Sequence, residues 1–382
     1  MENKIEKEIS ILITGDFYAG NRIDKLIRDE KYVEIFNDFL PEIQNADISV
    51  TNLESALTIS NRPIFKTGPS LKASPKTIDS LTFAGFNLLT LANNHIMDFG
   101  EKGLKDTLEL CNKNEINIVG AGMNLNEASQ IYFKVINGKK LAFINFTENE
   151  WSTTQDNHPG ANPLNPIANY YTIQEACKNA DFVFVIVHGG HEMYQLPSPR
   201  MKQTYRFFIN AGANAVIGHH THCFSGYEIY NGNPIFYSLG NFIFDWPGKQ
   251  NSKWNFGYAV KFRIYESKLS FDLLPFEQCN ANAGVWKLKE SGITSFKNEI
   301  YQFQQIILND DKLINNFDEF CKSQSKLYKA FLEPHSNKYI YALQNRLLFP
   351  SFLSRQKRLL YTNLIKCEAH RDIIVRILNN YI

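Results

Sequence analysis

Residues 182–192 read FVFVIVHGGHE, and this stretch indicates the fold. Residues 182–187 form a continuous run of β-branched and aromatic side chains, which is typical of a strand buried on both faces of a parallel sheet. His188 stands where that strand ends, beside glycines that let the backbone come close to a ligand. In open α/β sheets, ligands bind beyond the carboxyl ends of the strands. The stretch therefore predicts an α/β fold with a functional site at this edge.

A second strand end carries a cluster of histidines. Residues 215–218 (AVIG) form a short apolar strand, and residues 219–222 (HHTH) follow it. Side chains two positions apart share a face only on an extended chain. We therefore expect this segment to be extended, with His220 and His222 converging on one point and His219 pointing away. Imidazoles combined with carboxylate and amide oxygens suit Mn²⁺, Zn²⁺ or Fe.

Three earlier strands end in polar residues of the same kind. Residues 9–14 (ISILIT) precede Asp16, residues 46–51 (ADISVT) precede Glu54, and residues 86–92 (FNLLTLA) precede Asn94 and His95. Each one alone has an ordinary explanation, such as an Asx turn for Asp16 or a surface position for a histidine. Because five separate segments deliver candidate ligands at strand ends, their combination predicts a metal site.

Composition narrows the class of protein. The chain has 382 residues, of which 44% are apolar and 21% charged, as in globular proteins. A formal net charge of +1 gives no nucleic-acid footprint, so we expect no nucleic-acid partner. Six cysteines without a C-x-x-C pair fit reduced thiols. The charged N-terminus and the lack of a long apolar run predict a cytoplasmic protein.

The remaining chain divides into turns, one long connection and a helical end. The Asn137-Gly138 pair and residues 231–233 (NGN) predict two β-hairpins. Residues 148–169 form a long polar connection, which we expect to border the site. Helical spacing begins near residue 296, and residues 339–382 are basic and amphipathic. These helices are expected either to cap the main domain or to touch an anionic membrane or a partner protein.

The ordered set of motifs resembles the CapA family, the capsule and poly-γ-glutamate synthesis proteins related to calcineurin-like metallophosphoesterases. The resemblance covers about residues 9–276. The stretches that carry it are Gly15-Asp16, Asn52-Leu53-Glu54, residues 91–95 (LANNH) with Asp98 and Gly100, residues 188–192 (HGGHE), residues 212–222 (GANAVIGHHTH) and residues 237–242 (YSLGNF). It implies a four-layer αββα sandwich at residues 9–280, followed by a helical C-terminal extension at residues 290–382.

The resemblance also implies roles for site residues. His188 and His220, with the amide oxygen of Asn94, would bind one metal ion. Asp16 and His222 would bind a second ion, and Glu54 would bridge the two.

A catalytic pair follows from the same resemblance. His95 would act as general acid or stabilise the transition state, and Asp98 would hold its ring in one tautomer.

Two departures from the phosphoesterase pattern concern the metal ligands. The His of the usual Asp-x-His motif is Tyr18 here, and the usual bridging Asp is Glu54. One metal ion therefore has fewer protein ligands than usual. Glu192 and Asn241 are candidates to contribute there, as further contacts to metal or substrate.

The reaction expected from such a site is hydrolysis by metal-activated water, at phosphorus or at a carbonyl. The function would be linked to capsule or poly-γ-glutamate-type polymer synthesis, with an anionic small molecule or polymer as substrate. Arg62, Lys66 and Arg200 are candidate anion contacts.

Other interpretations stay open. The chain could be a non-catalytic metal-binding subunit of a capsule assembly complex at the membrane, a γ-glutamyl amide hydrolase or transferase, or a cytoplasmic hydrolase of small phosphoesters. Fold-level analogy alone does not identify the substrate.

Overall fold

The structure is a computed structural model that describes residues 7–332, 339, 343, 346, 348 and 353–380. Its strands are β1 Ile9–Tyr18, β2 Ile48–Leu53, β3 Ala56–Leu57, β4 Lys72–Ala73, β5 Leu88–Thr90, β6 Asn117–Val119, β7 Ala121–Gly122, β8 Tyr132–Ile136, β9 Lys139–Thr147, β10 Gly160–Ala161, β11 Phe182–His188, β12 Ala215–His219, β13 Tyr227–Tyr230, β14 Asn233–Phe236, β15 Asn241–Phe244, β16 Phe256–Tyr265, β17 Lys268–Gln278 and β18 Val285–Lys287.

The α-helices alternate with these strands and then follow the last of them. They are α1 Arg22–Arg28, α2 Tyr32–Phe36, α3 Leu40–Gln44, α4 Thr77–Ala84, α5 Gly100–Lys113, α6 Leu125–Ala128, α7 Pro166–Asn179, α8 Pro199–Asn210, α9 Glu290–Ile307, α10 Asp310–Leu332, α11 Arg355–Lys366 and α12 Glu368–Asn380. Short 3₁₀ segments lie at Asn37–Phe39 and Lys253–Asn255. Helix α8 begins as its sequence dictates, because Ser198 accepts a hydrogen bond from the Met201 N–H and Pro199 occupies the first turn.

Two mixed sheets form the centre of the molecule. Sheet A has the strand order β18-β17-β16-β1-β2-β5-β6, and β15 pairs with the end of β1. Sheet B has the order β13-β14-β12-β11-β9-β8. The inner strands β1, β2 and β5 of sheet A are parallel, as are β9, β11, β12 and β14 of sheet B. Their carboxyl ends therefore meet at one edge of each sheet.

Alternation along the strands creates the layers. On β11, Phe184 and Ile186 pack into the core between the two sheets, while Val183, Val185 and Val187 pack into a second core under α7 and α8. Because neighbouring strand residues point to opposite faces, one apolar run fills both cores. The Phe184 ring of sheet B meets the Phe262 ring of sheet A at a centroid distance of 5.2 Å.

The outer face of sheet A has a core of its own. There Ile23, Ile27, Ile78 and Leu104 of the helices α1, α4 and α5 pack against strand residues such as Leu12. With helices outside both sheets, the predicted four-layer αββα sandwich is confirmed.

Both predicted hairpins are present. Strands β8 and β9 join through Asn137 (φ 48°) and Gly138 (φ 82°), and β13 and β14 join through Asn231 (φ 49°) and Gly232 (φ 79°). Two consecutive positive φ angles define the type I′ turn that suits the twist of paired strands. All six cysteines are unpaired, as expected for reduced thiols.

The C-terminal helices dock on segments next to the strand ends. Helices α10, α11 and α12 share a small core that includes Phe317, Leu364 and Ile373. This core is fastened to the sandwich by Arg200, whose Nε lies 2.8 Å from Asp372 Oδ2. The predicted helical extension is therefore present, and it contacts the rest of the chain through α12.

Part of the predicted basic stretch, within residues 333–352, lies outside the described residues apart from four isolated positions. Contact with a membrane or a partner protein stays a prediction. In the part of the chain that the structure describes, no helix is both long and apolar enough to cross a bilayer.

Candidate metal centre

Sheet A places Asp16 at the edge where its parallel strands end. In the strand register, Asp16 of β1 lies opposite Asn52 of β2 and Asn241 of β15. A Cβ added at Gly15 would lie 1.8 Å from the Gly240 carbonyl oxygen, so glycine is required for this close approach. Glu54 follows β2 directly and is fully buried.

Sheet B delivers the histidines, but not by the geometry that we expected. His188 is the last residue of β11, and β12 ends at His219. His220 (φ 88°) and His222 (φ 56°) adopt left-handed backbone conformations beyond that strand. The expectation of an extended segment is therefore wrong. Bends with positive φ angles direct the two rings, and the rings join different groups of ligands.

The first group consists of Glu54, His188 and His220, whose potential ligand atoms all lie within 4.8 Å of one another. The Nδ1 of His220 lies 3.1 Å from the Nε2 of His188. The same His188 Nε2 lies 3.1 Å from Asn94 Oδ1 and 3.6 Å from Glu54 Oε1. Four groups with lone pairs thus face one point.

The second group consists of Asp16, Glu54 and His222, also with their ligand atoms within 4.8 Å of one another. The Nε2 of His222 lies 3.9 Å from Glu54 Oε1. Glu54 belongs to both groups, which is the arrangement that a bridging carboxylate requires. All six predicted metal ligands are therefore brought together.

The chemistry of these groups fits divalent cations. Both carboxylate oxygens of Glu54 are buried without a hydrogen-bond partner. Burial raises the pKa of Glu54 well above its ordinary value, and the neighbouring Asp16 raises it further. Burial also raises the pKa of Asp16 to about 6, although His222 opposes this rise. A buried carboxylate without a partner is unfavourable, and a cation would relieve that cost.

The histidines present neutral rings. Burial lowers the pKa of His220 to about 4 and that of His188 well below its ordinary value. Burial likewise lowers the pKa of His222. Neutral imidazoles offer the free lone pair that metal binding requires.

Side chains behind the ligands orient them. Asn52 Nδ2 donates to Asp16 Oδ1 at 2.7 Å, and the His220 backbone N–H donates to Asp16 Oδ2 at 3.0 Å. The Nδ1 of His222 lies 2.9 Å from Asn241 Oδ1, so an N–H there leaves Nε2 free to face Glu54. Such outer contacts fix the ring and its tautomer. The structure places Asn241 behind His222, so its expected contact with substrate stays a prediction.

The predicted catalytic pair is in contact. His95 Nδ1 lies 2.6 Å from Asp98 Oδ2, and His95 Nε2 lies 4.0 Å from Glu54 Oε1. The other Asp98 oxygen forms an ion pair with Lys66, whose side chain is also buried. Burial lowers the pKa of His95, while its hydrogen bond to Asp98 opposes that shift. The ring is thus fixed with Nε2 directed at the ligand groups.

A pocket of about 330 Å³ opens above this centre. Its floor includes Asn94, His95 and His222, and Lys66 and Glu192 line its walls. Glu192 is exposed into the pocket, as a substrate contact would be.

The two predicted arginine contacts lie elsewhere. Arg62 is exposed and does not line this pocket, and Arg200 is occupied by Glu148 and Asp372.

Residues from two segments outside the ligand motifs also line the pocket. Glu150 and Trp151 come from the long connection that was expected to border the site. Asn363 of α11 and His370 of α12 come from the C-terminal extension. Neither of these two residues belongs to a motif, so no sequence signal identified them.

Two histidines of the motifs serve the scaffold. His219 Nε2 lies 2.9 Å from the Thr14 carbonyl oxygen and donates to it, which agrees with its expected direction away from the site. His191 Nε2 lies 2.9 Å from the Ala369 carbonyl oxygen of α12. Tyr18, which stands where the usual motif has His, packs on the Phe244 ring at a centroid distance of 4.8 Å.

Comparison with known proteins identifies the family of this chain. The family model described as "Bacterial capsule synthesis protein PGA_cap" matches residues 10–246, a range that contains all six candidate ligands. This chain belongs to the PGA_cap family.

Three named proteins are similar to this chain. "Capsule biosynthesis protein CapA" of Bacillus anthracis is 30% identical over 254 residues, which are 64% of this chain and 62% of that protein. "PGA biosynthesis protein CapA" of Bacillus subtilis (strain 168) is 35% identical over 243 residues, or 62% of this chain and 63% of that protein. A "Probable polyglutamine synthesis accessory protein" of Mycobacterium tuberculosis is 27% identical over 216 residues, or 53% and 57%.

The similarity to these relatives extends over only part of their length. This chain spans about three-fifths of the two Bacillus proteins. Among solved structures, one from Thermus thermophilus aligns with a TM-score of 0.41 at 10% identity, covering 70% of this chain and 99% of that one.

Proposed function

We propose that this chain is a metal-dependent hydrolase in the synthesis of a capsule or poly-γ-glutamate-type polymer. The observation that carries the proposal is the shared residue Glu54, which joins two groups of metal ligands directly below His95 and an open pocket. The names of the two Bacillus relatives, which refer to capsule and PGA biosynthesis, support the link to polymer synthesis.

The ligand set would hold two divalent ions, of Mn, Zn or Fe. Glu54, His188, His220 and the Asn94 amide oxygen would hold one, and Asp16, Glu54 and His222 the other. When bound, such a pair supplies an activated water and stabilises charge on the group under attack.

The chain's own residues would position the leaving group and move its proton. His95 directs Nε2 toward the ligand groups, because its Nδ1 is bound to Asp98. Burial lowers the pKa of His95, so an imidazolium formed there gives up its proton readily to a leaving oxygen or nitrogen. The Asp98 carboxylate would stabilise that imidazolium while an anionic substrate is bound.

The walls of the pocket favour an anionic substrate at this end. Lys66 reaches the pocket beside His95, and Lys249 lines the wall near Trp254, with its Nζ 5.3 Å from the ring centroid. Glu150 and Glu192 line the same pocket, so the two lysines and the bound metal ions, rather than a uniformly positive rim, would attract phosphate or carboxylate groups. Attack at phosphorus is the first candidate reaction. Cleavage or transfer at a γ-glutamyl amide is the second, because two relatives are named for PGA biosynthesis and for polyglutamine synthesis.

The test compares two histidine variants loaded with Mn, Zn or Fe. His95→Gln should lose about a hundredfold or more in turnover of a chromogenic phosphodiester or of a γ-glutamyl amide, because it removes the proton donor. Its metal content should equal that of the wild type. The control is His158→Gln, since His158 is exposed on the long connection and should not affect turnover.

The outcome separates the proposed classes. A metal-loaded wild-type protein that turns over neither kind of substrate would contradict the hydrolase and leave a non-catalytic metal-binding subunit. Equal activity of the two histidine variants would remove His95 from the mechanism.

A further inference from the structure

The first turn of α12 is held by hydrogen bonds from three other segments. Glu368 accepts from the backbone N–H and the side-chain amide of Asn149, in the connection after β9, at 2.8 and 2.7 Å. The Ala369 carbonyl oxygen accepts from Nε2 of His191, which follows β11, at 2.9 Å. Asp372 accepts from two side chains at the start of α8, at 3.0 and 2.8 Å. These contacts fix the backbone of the turn relative to the strand-end segments.

His370 lies inside this turn and lines the pocket. Its Nδ1 lies 2.6 Å from the Tyr328 hydroxyl of α10. Burial raises the pKa of Tyr328, so the phenol keeps its proton. Because a phenol O–H is a stronger donor than a neutral imidazole N–H, we assign the hydroxyl as the donor to Nδ1. The proton of the ring then lies on Nε2.

The second ring nitrogen of His370 is a donor that is open to a ligand. Within the part of the chain that the structure describes, Nε2 has no hydrogen-bond partner, and it is not among the unpaired atoms that are closed off from solvent, such as Nδ1 of His191. Burial lowers the pKa of His370, although Glu192 and Glu148 oppose that shift. The ring is therefore neutral near pH 7 and offers one N–H.

The charges in the pocket decide which acceptor suits this N–H. The carboxylates of Glu150 and Glu192 line the same pocket and would repel an anionic group placed beside them. An anionic group is better placed near Lys66, whose Nζ lies 3.2 Å from Nδ1 of His95. The carbonyl oxygen of an amide accepts a hydrogen bond and has no net charge, so it suits His370.

We propose that His370 is a substrate-positioning residue whose Nε2–H donates to an amide carbonyl oxygen of the substrate. The inference rests on the proposed function, because it assumes that the reacting group of the substrate lies over the metal ligands. The substrate would then carry an uncharged amide beyond its reacting group. The C-terminal extension would form part of the substrate site, through a residue that lies outside the segment matched by the family model.

The test measures binding rather than turnover. The probes are alkyl phosphonates of increasing length that end in an acetamido group, and matching phosphonates that end in a branched alkyl group of the same shape. A phosphonate is not hydrolysed, and it can lie over the metal centre. Calorimetric titration of the full metal-loaded chain gives the affinity for each probe and hence the ratio of amide to alkyl affinity.

At the best-fitting length, His370→Leu should lower this ratio about three- to tenfold, as expected for one neutral hydrogen bond. His370→Gln should keep most of the ratio, since its amide N–H can take the place of Nε2–H. The matched control is Arg371→Leu, because Arg371 is the next residue, is exposed and does not line the pocket. All three variants should bind the alkyl probe as the wild type does.

Three results would overturn the role of His370. The first is that no probe binds, and the second is that His370→Leu keeps the wild-type ratio. The third is an equal fall of the ratio in His370→Gln and His370→Leu, which would assign the loss to the docking of α12. A wild type that shows the ratio but hydrolyses no substrate would contradict the hydrolase and leave the positioning role standing.

Discussion

Glu54→Gln should stabilise the metal-free protein and abolish its response to metal. Glu54 and Asp16 are both buried, with their ligand atoms within 4.8 Å. Two full charges at that distance repel each other by about 3 kcal/mol at an effective dielectric constant of about 20. Protonation already relieves part of this repulsion, because the pKa values of both groups are raised. The gain from Gln is therefore a part of that repulsion, on the order of 1–3 kcal/mol.

The pH range in which Glu54→Gln stabilises the metal-free protein follows from the pKa of Asp16. Its pKa in the folded protein is about 6, above the ordinary value, so the folded state binds more protons than the unfolded state. The contribution of Asp16 to stability therefore falls as the pH rises through about 6. Removing the neighbouring charge should help most above that pH.

Added metal should instead stabilise the wild type and leave Glu54→Gln unchanged. An ion that binds only the folded state stabilises it by about 2.7 kcal/mol when present at a hundred times its Kd. Glu54 belongs to both ligand groups, so Glu54→Gln should lose this increment at both sites. Wild type should thus melt at a higher temperature with metal than without, and the variant should melt at one temperature throughout.

Thermal unfolding in chelator and then in excess Mn²⁺ measures both effects. The matched control is Glu228→Gln, because Glu228 is equally buried but paired with Arg206 at 2.6 Å. Gln at that position should destabilise the protein under both conditions. If metal-free Glu54→Gln melts below the wild type, or keeps the full shift with metal, the assignment of Glu54 as a shared ligand fails.

Further predictions concern the individual ligands. His220→Ala and His222→Ala should each reduce the metal content by one ion per chain, measured by mass spectrometry, since the two rings serve different groups; an unchanged content in either variant would exclude that ring. Metal affinity should weaken as the pH falls below about 6, because Asp16 then holds a proton that the ion must displace; competition with a chelator across pH would reveal a flat profile if this is wrong. Asn241→Ala should lower the affinity for one of the two ions by about ten- to a hundredfold, because the ring of His222 loses its orienting contact; an equal loss of affinity for both ions would contradict a local role.

The strand-end pattern predicted an α/β fold with the candidate ligands at one edge, and the resemblance to the CapA family implied the αββα sandwich and the grouping of those ligands. Apolar runs such as FVFVIV show where buried strands lie, and parallel strands carry the residues that follow them to one edge. Asp16, Glu54 and His188 follow this rule directly. Register then brings Asp16 opposite Asn52, a pairing that no single segment could reveal.

The backbone conformation after β12 could not be predicted from the periodicity of the sequence. We expected an extended segment because alternation is the only pattern that brings residues two apart together on a regular element. The structure uses positive φ angles at His220 and His222, where the His220 N–H is held by Asp16 from the other sheet. A contact between distant segments thus decides a local geometry.

The C-terminal walls of the pocket were unpredictable for a similar reason. Asn363 and His370 lie outside the residues that match the family model, and neither is part of a spaced motif. Their position depends on how α12 docks, through Asp372 on Arg200 and through Glu368, which accepts from the Asn149 side chain at 2.7 Å. Helical spacing predicts that such helices exist, but it does not indicate which surface they cover.

Each ligand group draws residues from both sheets. Glu54 of sheet A meets His188 and His220 of sheet B in one group, while Asp16 and Glu54 of sheet A meet His222 of sheet B in the other. An ion held in either group would therefore link the two sheets at the edge where their parallel strands end. The two sheets could then separate at this edge only after the ions had dissociated. The residues that hold the ions for water activation would therefore also slow the unfolding of the protein.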